Sequence, residues 1–175
     1  MRALGPSSIS SFLKIVLDVV YVALWGGVAG LLVLVVAALL LSFNPALLAR
    51  LAGGEAAAEI LLRGPVLAGG LLAAGLSMTA VLVIVDRLRR IFVTLMAGDP
   101  FHPDNVRRLR IIGLMLAGLE LMRYLVWGLG ARLPGVDKVE PRLSLTAWFS
   151  VLVVFVLAEV FREGARLRRE AELTI

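Results

Sequence analysis

The chain has 175 residues, 60% of them hydrophobic, with a net charge of +5 at neutral pH and no cysteine. Its mean hydropathy is +0.95, well above the roughly half-apolar usage of soluble domains, and its apolar residues fall in long blocks, so it reads as an integral membrane protein. The absence of cysteine excludes disulfides and thiol chemistry, and a single histidine, His102, excludes a multi-histidine metal or haem site.

Residues 1–14 are polar and lead into an apolar run over 15–41 that only Asp18 interrupts. That run is much longer than the roughly 7 to 15 residues of a signal-peptide core, which predicts a retained first transmembrane helix. Asp18 lies one turn from Lys14, so an interfacial i,i+4 pair is expected. Residues 42–63 hold Asn44-Pro45 and Gly53-Gly54 and read as an external loop, with short surface helices over 46–51 and 56–62. A second span is predicted over 65–85, with Pro65 in its first turn, where a missing N–H costs little.

Good helix formers continue past residue 85 until Gly98-Asp99-Pro100, so the second helix should run on for a turn or more beyond the bilayer. Pro103 and Asp104 restart the chain as a third helix. Residues 86–110 thus form a tight helical hairpin, bracketed by Arg87, Arg89, Arg90 and by Arg107, Arg108, Arg110. A third span covers 111–129, an external loop 130–142, a fourth span 143–161 and a charged tail 162–175. On this layout twelve lysines and arginines share the side of the hairpin and both termini, against five on the other side. The positive-inside bias then makes the hairpin and both termini cytoplasmic. The expected fold is all-α: a single membrane domain with four transmembrane helices, the long second and third joined by the cytoplasmic hairpin.

Glu120 falls about 14 Å into the third helix, near the middle of the hydrocarbon core, where an ionised carboxylate is costly. Arg123 follows at i+3, so an intramembrane Glu120–Arg123 pair is expected, as a packing device or as a ligand or proton site, unless Arg123 snorkels to the external end or the residues face lipid or the interface. Glu159 ends the fourth span and should pair at the interface, with Arg89 or Arg110 as partners. His102 reads as a turn or capping residue. Gly26 with Gly30, Gly70 with Ala74 and Gly113 with Ala117 are small-xxx-small spacings for close helix approach, within one chain or in a homo-oligomer. No phosphate loop, nucleophile elbow, zinc helix or paired-carboxylate motif is present, so neither enzyme activity, a metal nor a cofactor is expected. The arginines lie beside apolar spans and not along a soluble face, which points to the lipid bilayer and its anionic headgroups and away from direct nucleic-acid binding.

A partner surface is expected on the cytoplasmic side. It takes Arg87, Arg89, Arg90, Asp99, Phe101, Asn105, Arg107, Arg108 and Arg110 from the hairpin, with Glu159, Arg162, Leu173 and Ile175 from the fourth helix and tail. The last residues, 173–175, either add to a partner's sheet edge, lie in a partner's groove, or fray.

The turn GDPFHPDNVRRLR at 98–110 and the ending LAEVFREGARLRREAELTI at 157–175 resemble the bacterial DUF2975 family of four-helix membrane proteins, a resemblance of layout over the whole chain. Members are often encoded beside a small Cro/CI-type helix-turn-helix regulator. The resemblance therefore implies a multi-pass protein of the bacterial inner membrane that binds such a regulator at its cytoplasmic face, and it brings no catalytic residues. The alternative is a small transporter or channel subunit that uses the Glu120/Arg123 polar pair.

Overall fold

The computed structural model describes residues 9–43, 50, 54–130 and 143–173. Four helices account for nearly all of them: α1 (Ile9–Phe43), α2 (Gly54–Met96), α3 (Pro103–Gly130) and α4 (Leu145–Glu172), with no strand among the described residues. The physical reason is the solvent that these runs require. In hydrocarbon a backbone N–H or C=O has no water to bond, and a helix satisfies each group within its own segment. Three stretches are long and apolar enough to cross a membrane: Phe12–Leu40, Ala68–Met96 and Leu145–Ala171. The remaining helix, α3, has 28 residues, about 42 Å at 1.5 Å per residue, and carries Glu120 and Arg123 within its apolar stretch.

Two sequence expectations change. Residues 56–62 are not a separate surface helix, because α2 starts at Gly54 and runs unbroken for 43 residues. Pro65 is consequently an interior helical position and not a first-turn one. The alanines, leucines and glutamates on its N-terminal side are strong helix formers, and extending an existing helix costs far less than nucleating a second one. The tail is the second change. Helix α4 continues to Glu172, supported by an Arg166–Glu163 pair at 2.6 Å and an Arg166–Glu170 pair at 3.4 Å. Such i,i+3 and i,i+4 pairs stabilise a helix end. Ile175 lies outside the described residues, as do most of the predicted external loops.

The hairpin turn follows from its residues. Gly98 has φ +81°, a left-handed conformation that glycine adopts without steric penalty. Around it, the Gly98 N–H donates to the Leu95 carbonyl at 3.1 Å and the Asp99 N–H to the Thr94 carbonyl at 3.0 Å, closing the end of α2. His102 Nδ1 accepts the Asp104 N–H at 3.2 Å, and the Asn105 N–H donates to the His102 carbonyl at 2.9 Å. His102 is therefore the capping residue of α3. At the start of α4, Ser144 Oγ accepts the Ala147 N–H at 3.2 Å.

The chain divides into two compact units. The first comprises Met1–Leu24, Ala80–Leu121 and Arg142–Ile175. Its core is made of Leu17 from α1, Leu82, Val85 and Ile91 from α2, Ile112 from α3, and Val151, Ala158 and Ala165 from α4. The second comprises Trp25–Thr79 and Met122–Pro141. Within it Gly27 of α1 lies under the Met78 side chain of α2, at a distance that leaves no room for a Cβ.

Candidate functional site

The hairpin and the facing part of α4 belong to the first unit, and the polar side chains there join one helix to another. Asn105 is completely buried. Its Nδ2 donates to Thr94 Oγ1 at 2.8 Å and to the Pro100 carbonyl at 3.0 Å, and Arg108 Nη1 donates to its Oδ1 at 2.8 Å. The Thr94 hydroxyl is 2.8 Å from the Ile91 carbonyl, which accepts from it. Arg108 also donates to the Arg90 carbonyl at 3.0 Å. One buried amide thus ties α2, the turn and α3 together, which accounts for an amide at a position that the solvent never reaches.

On the other side the hairpin meets α4. The Phe101 ring packs against Phe161 with centroids 5.7 Å apart and planes tilted by 54°, a favoured aromatic geometry. The same ring covers Gly164, where a Cβ would come within 2.5 Å of it. Asp99 pairs with Arg168. Higher on the seam, Arg110 lies 3.9 Å from Glu159, Glu159 also pairs with Arg162, and a Cβ on Gly113 would lie 3.1 Å from the Phe155 ring. These contacts run antiparallel in register, so α3 and α4 are neighbours over several turns.

Helix α1 joins the unit through Asp18. Arg89 reaches its carboxylate at 2.6 Å while the guanidinium stacks 4.2 Å from the centroid of the Tyr21 ring. The ion partner of Asp18 is therefore Arg89 across the helix interface and not Lys14 along α1. Asp86 meanwhile pairs with Arg90 at 3.0 Å and Arg87 at 3.4 Å.

These positions redistribute the predicted partner surface. Asn105 is not on any surface; it is the buried lock of the hairpin. Asp99, Phe101, Arg89 and Arg108 are committed to contacts inside the chain, as is Glu159 to its two arginines. Arg90, Arg107, Arg110 and Arg162 remain exposed, and Arg107 makes no hydrogen bond or ion pair with any described residue. Leu173 is exposed as well. Glu120 is 6% exposed in the first unit; Arg123, in the second, is exposed with its guanidinium 5.4 Å from the Tyr124 ring centroid. Sequence reasoning did not find Thr94, Tyr21, Gly164 or Arg168. For Tyr21 and Arg89 a signal existed, since both lie close to the same end of consecutive antiparallel helices. For Gly164 and Arg168 none did, because the tail was not assigned to a helix.

A protein-family model described as "Protein of unknown function (DUF2975)" matches residues 50–175. The chain belongs to the DUF2975 family. The match takes in α2, α3 and α4 but begins after α1, so it is shorter than the whole-chain resemblance suggested. Both sides of the hairpin–tail contact, Asp99 and Phe101 with Phe161, Gly164 and Arg168, lie within the DUF2975 match, whereas Asp18 and Tyr21 of the α1 clamp lie before it. No curated protein and no solved structure matches the chain.

Proposed function

We propose that this DUF2975 protein is a non-catalytic, four-span protein of the bacterial inner membrane, with the hairpin and both termini in the cytoplasm, that holds a small soluble regulator at the membrane. The observation that carries the reading is how the hairpin's polar residues are used. Asn105, Thr94, Arg108 and Asp99 are spent on fixing α2, α3 and α4 to one another, which is the arrangement of a rigid platform. α4 extends 13 residues past Glu159, about 20 Å as a helix; it carries Leu167 exposed beside Arg166 and Arg169, and Leu173, which caps its end, is exposed as well. The arginines, a residue type enriched at interfaces, and the exposed leucines together offer a partner charge-assisted hydrogen bonds and apolar area. The DUF2975 resemblance makes a Cro/CI-type helix-turn-helix protein the natural occupant.

The test is co-purification from native membranes in mild detergent, with the affinity tag near Gly53 so that the hairpin and tail stay free. Recovery of a small regulator that is lost from Leu167→Ser/Leu173→Ser supports the proposal; recovery that is unchanged in that variant removes the tail from it. Both leucines are exposed, so the substitution leaves the bundle's own contacts in place. A second reading, a small transporter or channel subunit, is favoured by one observation, the burial of Glu120 in α3. Reconstituted protein that moves no ion, proton or small solute, with Glu120→Gln indistinguishable from wild type, ends that reading.

A further inference from the structure

The exposed faces of α3 and α4 change character at one level. On α3 the residues Arg107, Arg110, Leu114, Gly118 and Leu121 are all exposed, and their spacing of three and four places them on one stripe. On α4 the same spacing links Trp148, Leu152, Phe155, Glu159 and Arg162, again all exposed. Each stripe is apolar along one part and charged along the next, with the change falling between Leu114 and Arg110 on α3 and between Phe155 and Glu159 on α4. The 3.9 Å approach of Arg110 to Glu159 and the Gly113–Phe155 contact set the two changes side by side, flanking one seam. Leucine, tryptophan and phenylalanine exposed in continuous rows require hydrocarbon, and arginines at their end sit where headgroup phosphates lie.

The charge at this end is not balanced among the described residues. Arg110 is within ion-pair range of Glu159 but beyond hydrogen-bond distance, so its donors form no hydrogen bond among the described residues. Arg107, one turn away, has neither a hydrogen bond nor an ion pair there. Arg162 shares the same single carboxylate. Three guanidinium groups, each a rigid fork of five donors, thus stand at the charged ends of the two stripes, with one carboxylate in range of two of them, and Gly118 leaves open space between Leu114 and Leu121 on the α3 stripe. A phosphodiester presents the oxygens that such forks bind, and acyl chains fit the rows beneath it.

We infer that the α3–α4 seam is a binding site for an anionic diacyl phospholipid, whose phosphate is held by Arg107, Arg110 and Arg162 while its chains lie along Leu114, Leu121 and Leu152. The three arginines also belong to the partner surface expected from the sequence, but the proposed partner patch centres on Leu167 and Leu173, and the lipid test contains no protein partner, so either reading could fail without the other.

The experiment is native mass spectrometry of the full chain, delipidated in detergent and titrated with phosphatidylglycerol or phosphatidylcholine of matched chains. Wild type is expected to retain phosphatidylglycerol at least about tenfold better, since each basic residue near an anionic surface contributes about fivefold. Arg107→Gln/Arg110→Gln/Arg162→Gln should abolish the preference, whereas the triple lysine variant should keep most of it. Arg50→Gln/Arg63→Gln, which removes charge from neither α3 nor α4, should leave it intact. Millimolar inorganic phosphate should not displace the lipid, because it lacks the chains; displacement would show a bare anion site and overturn the assignment. Equal retention of the two lipids by wild type would overturn it without reference to any variant, as would a preference that survives the triple glutamine substitution.

Discussion

Contacts of two kinds can be compared between the units. In the first, side chains bridge helices through directed polar bonds: Asn105 to Thr94 and Pro100, Arg108 to Arg90, Arg89 to Asp18, Asp99 to Arg168. In the second, the Gly27–Met78 contact is one of shape alone, and the Thr79 hydroxyl bonds within its own helix to the Gly75 carbonyl at 2.8 Å. The small-residue spacing of Gly26 and Gly30 lies in this second unit, yet a Cβ at either position would meet no described atom within 4 Å. Gly113, in the first unit, does face a ring. The lesson is that a small-xxx-small spacing permits close approach without choosing a partner, whereas a hydrogen-bonded amide specifies which helices meet and in what register.

Four experiments sharpen or break this comparison. Asn105→Ala should have the largest effect, a loss of about 2 to 3 kcal/mol, because it removes the donor to the Pro100 carbonyl and takes one bond each from Thr94 and Arg108 at a fully buried position. Reversible denaturant unfolding in mild detergent reads it, and an unchanged midpoint would mean that the amide network contributes nothing to specificity. Gly164→Val comes next, at about 1 to 3 kcal/mol by overpacking. It should also expel Phe101 from its seat, which limited proteolysis of the hairpin would register as faster cleavage; wild-type resistance would show that the ring is not held there.

The clamp on α1 is smaller. Asp18 and Arg89 are each about a third exposed, so solvent screens the pair, and a double-mutant cycle between Asp18→Asn and Arg89→Gln should return a coupling of roughly 0.5 to 1 kcal/mol. A coupling near zero would leave the Tyr21 stacking as the contact that matters. Smallest of all, Gly26→Leu/Gly30→Leu should change stability by no more than about 0.5 kcal/mol, since both sites are open. A large loss there, accompanied by a change in oligomeric state on size exclusion, would assign the glycines to a contact between copies and reverse the contrast between the units.

Much of the fold was legible because its causes are local. Helix positions followed from runs of apolar residues, and the turn from Gly98, Pro100 and Pro103, whose backbone preferences act without distant help. The bounds of α2 and α4 were not legible, because Pro65 argued for a start and the charged tail for an end, while helix propagation through good formers outweighed both. The site divided in the same way. His102 as a cap and Arg110 with Glu159 could be read from their places at helix ends. Asn105 could not, since an asparagine just inside a first turn is usually solvated, and only the proximity of Thr94 makes its burial tolerable.

From its sequence alone this protein is an all-helical membrane protein with a basic hairpin, because hydropathy, charge and turn chemistry are properties of neighbouring residues that need no fold to be expressed. Which arginines are spent on internal contacts, which stay exposed, and which glycines meet another helix were decided only by the tertiary structure. Those outcomes depend on residues far apart in the chain, such as Asp18 and Arg89 or Asp99 and Arg168, arriving within a few ångströms of each other, and no local rule records that distance.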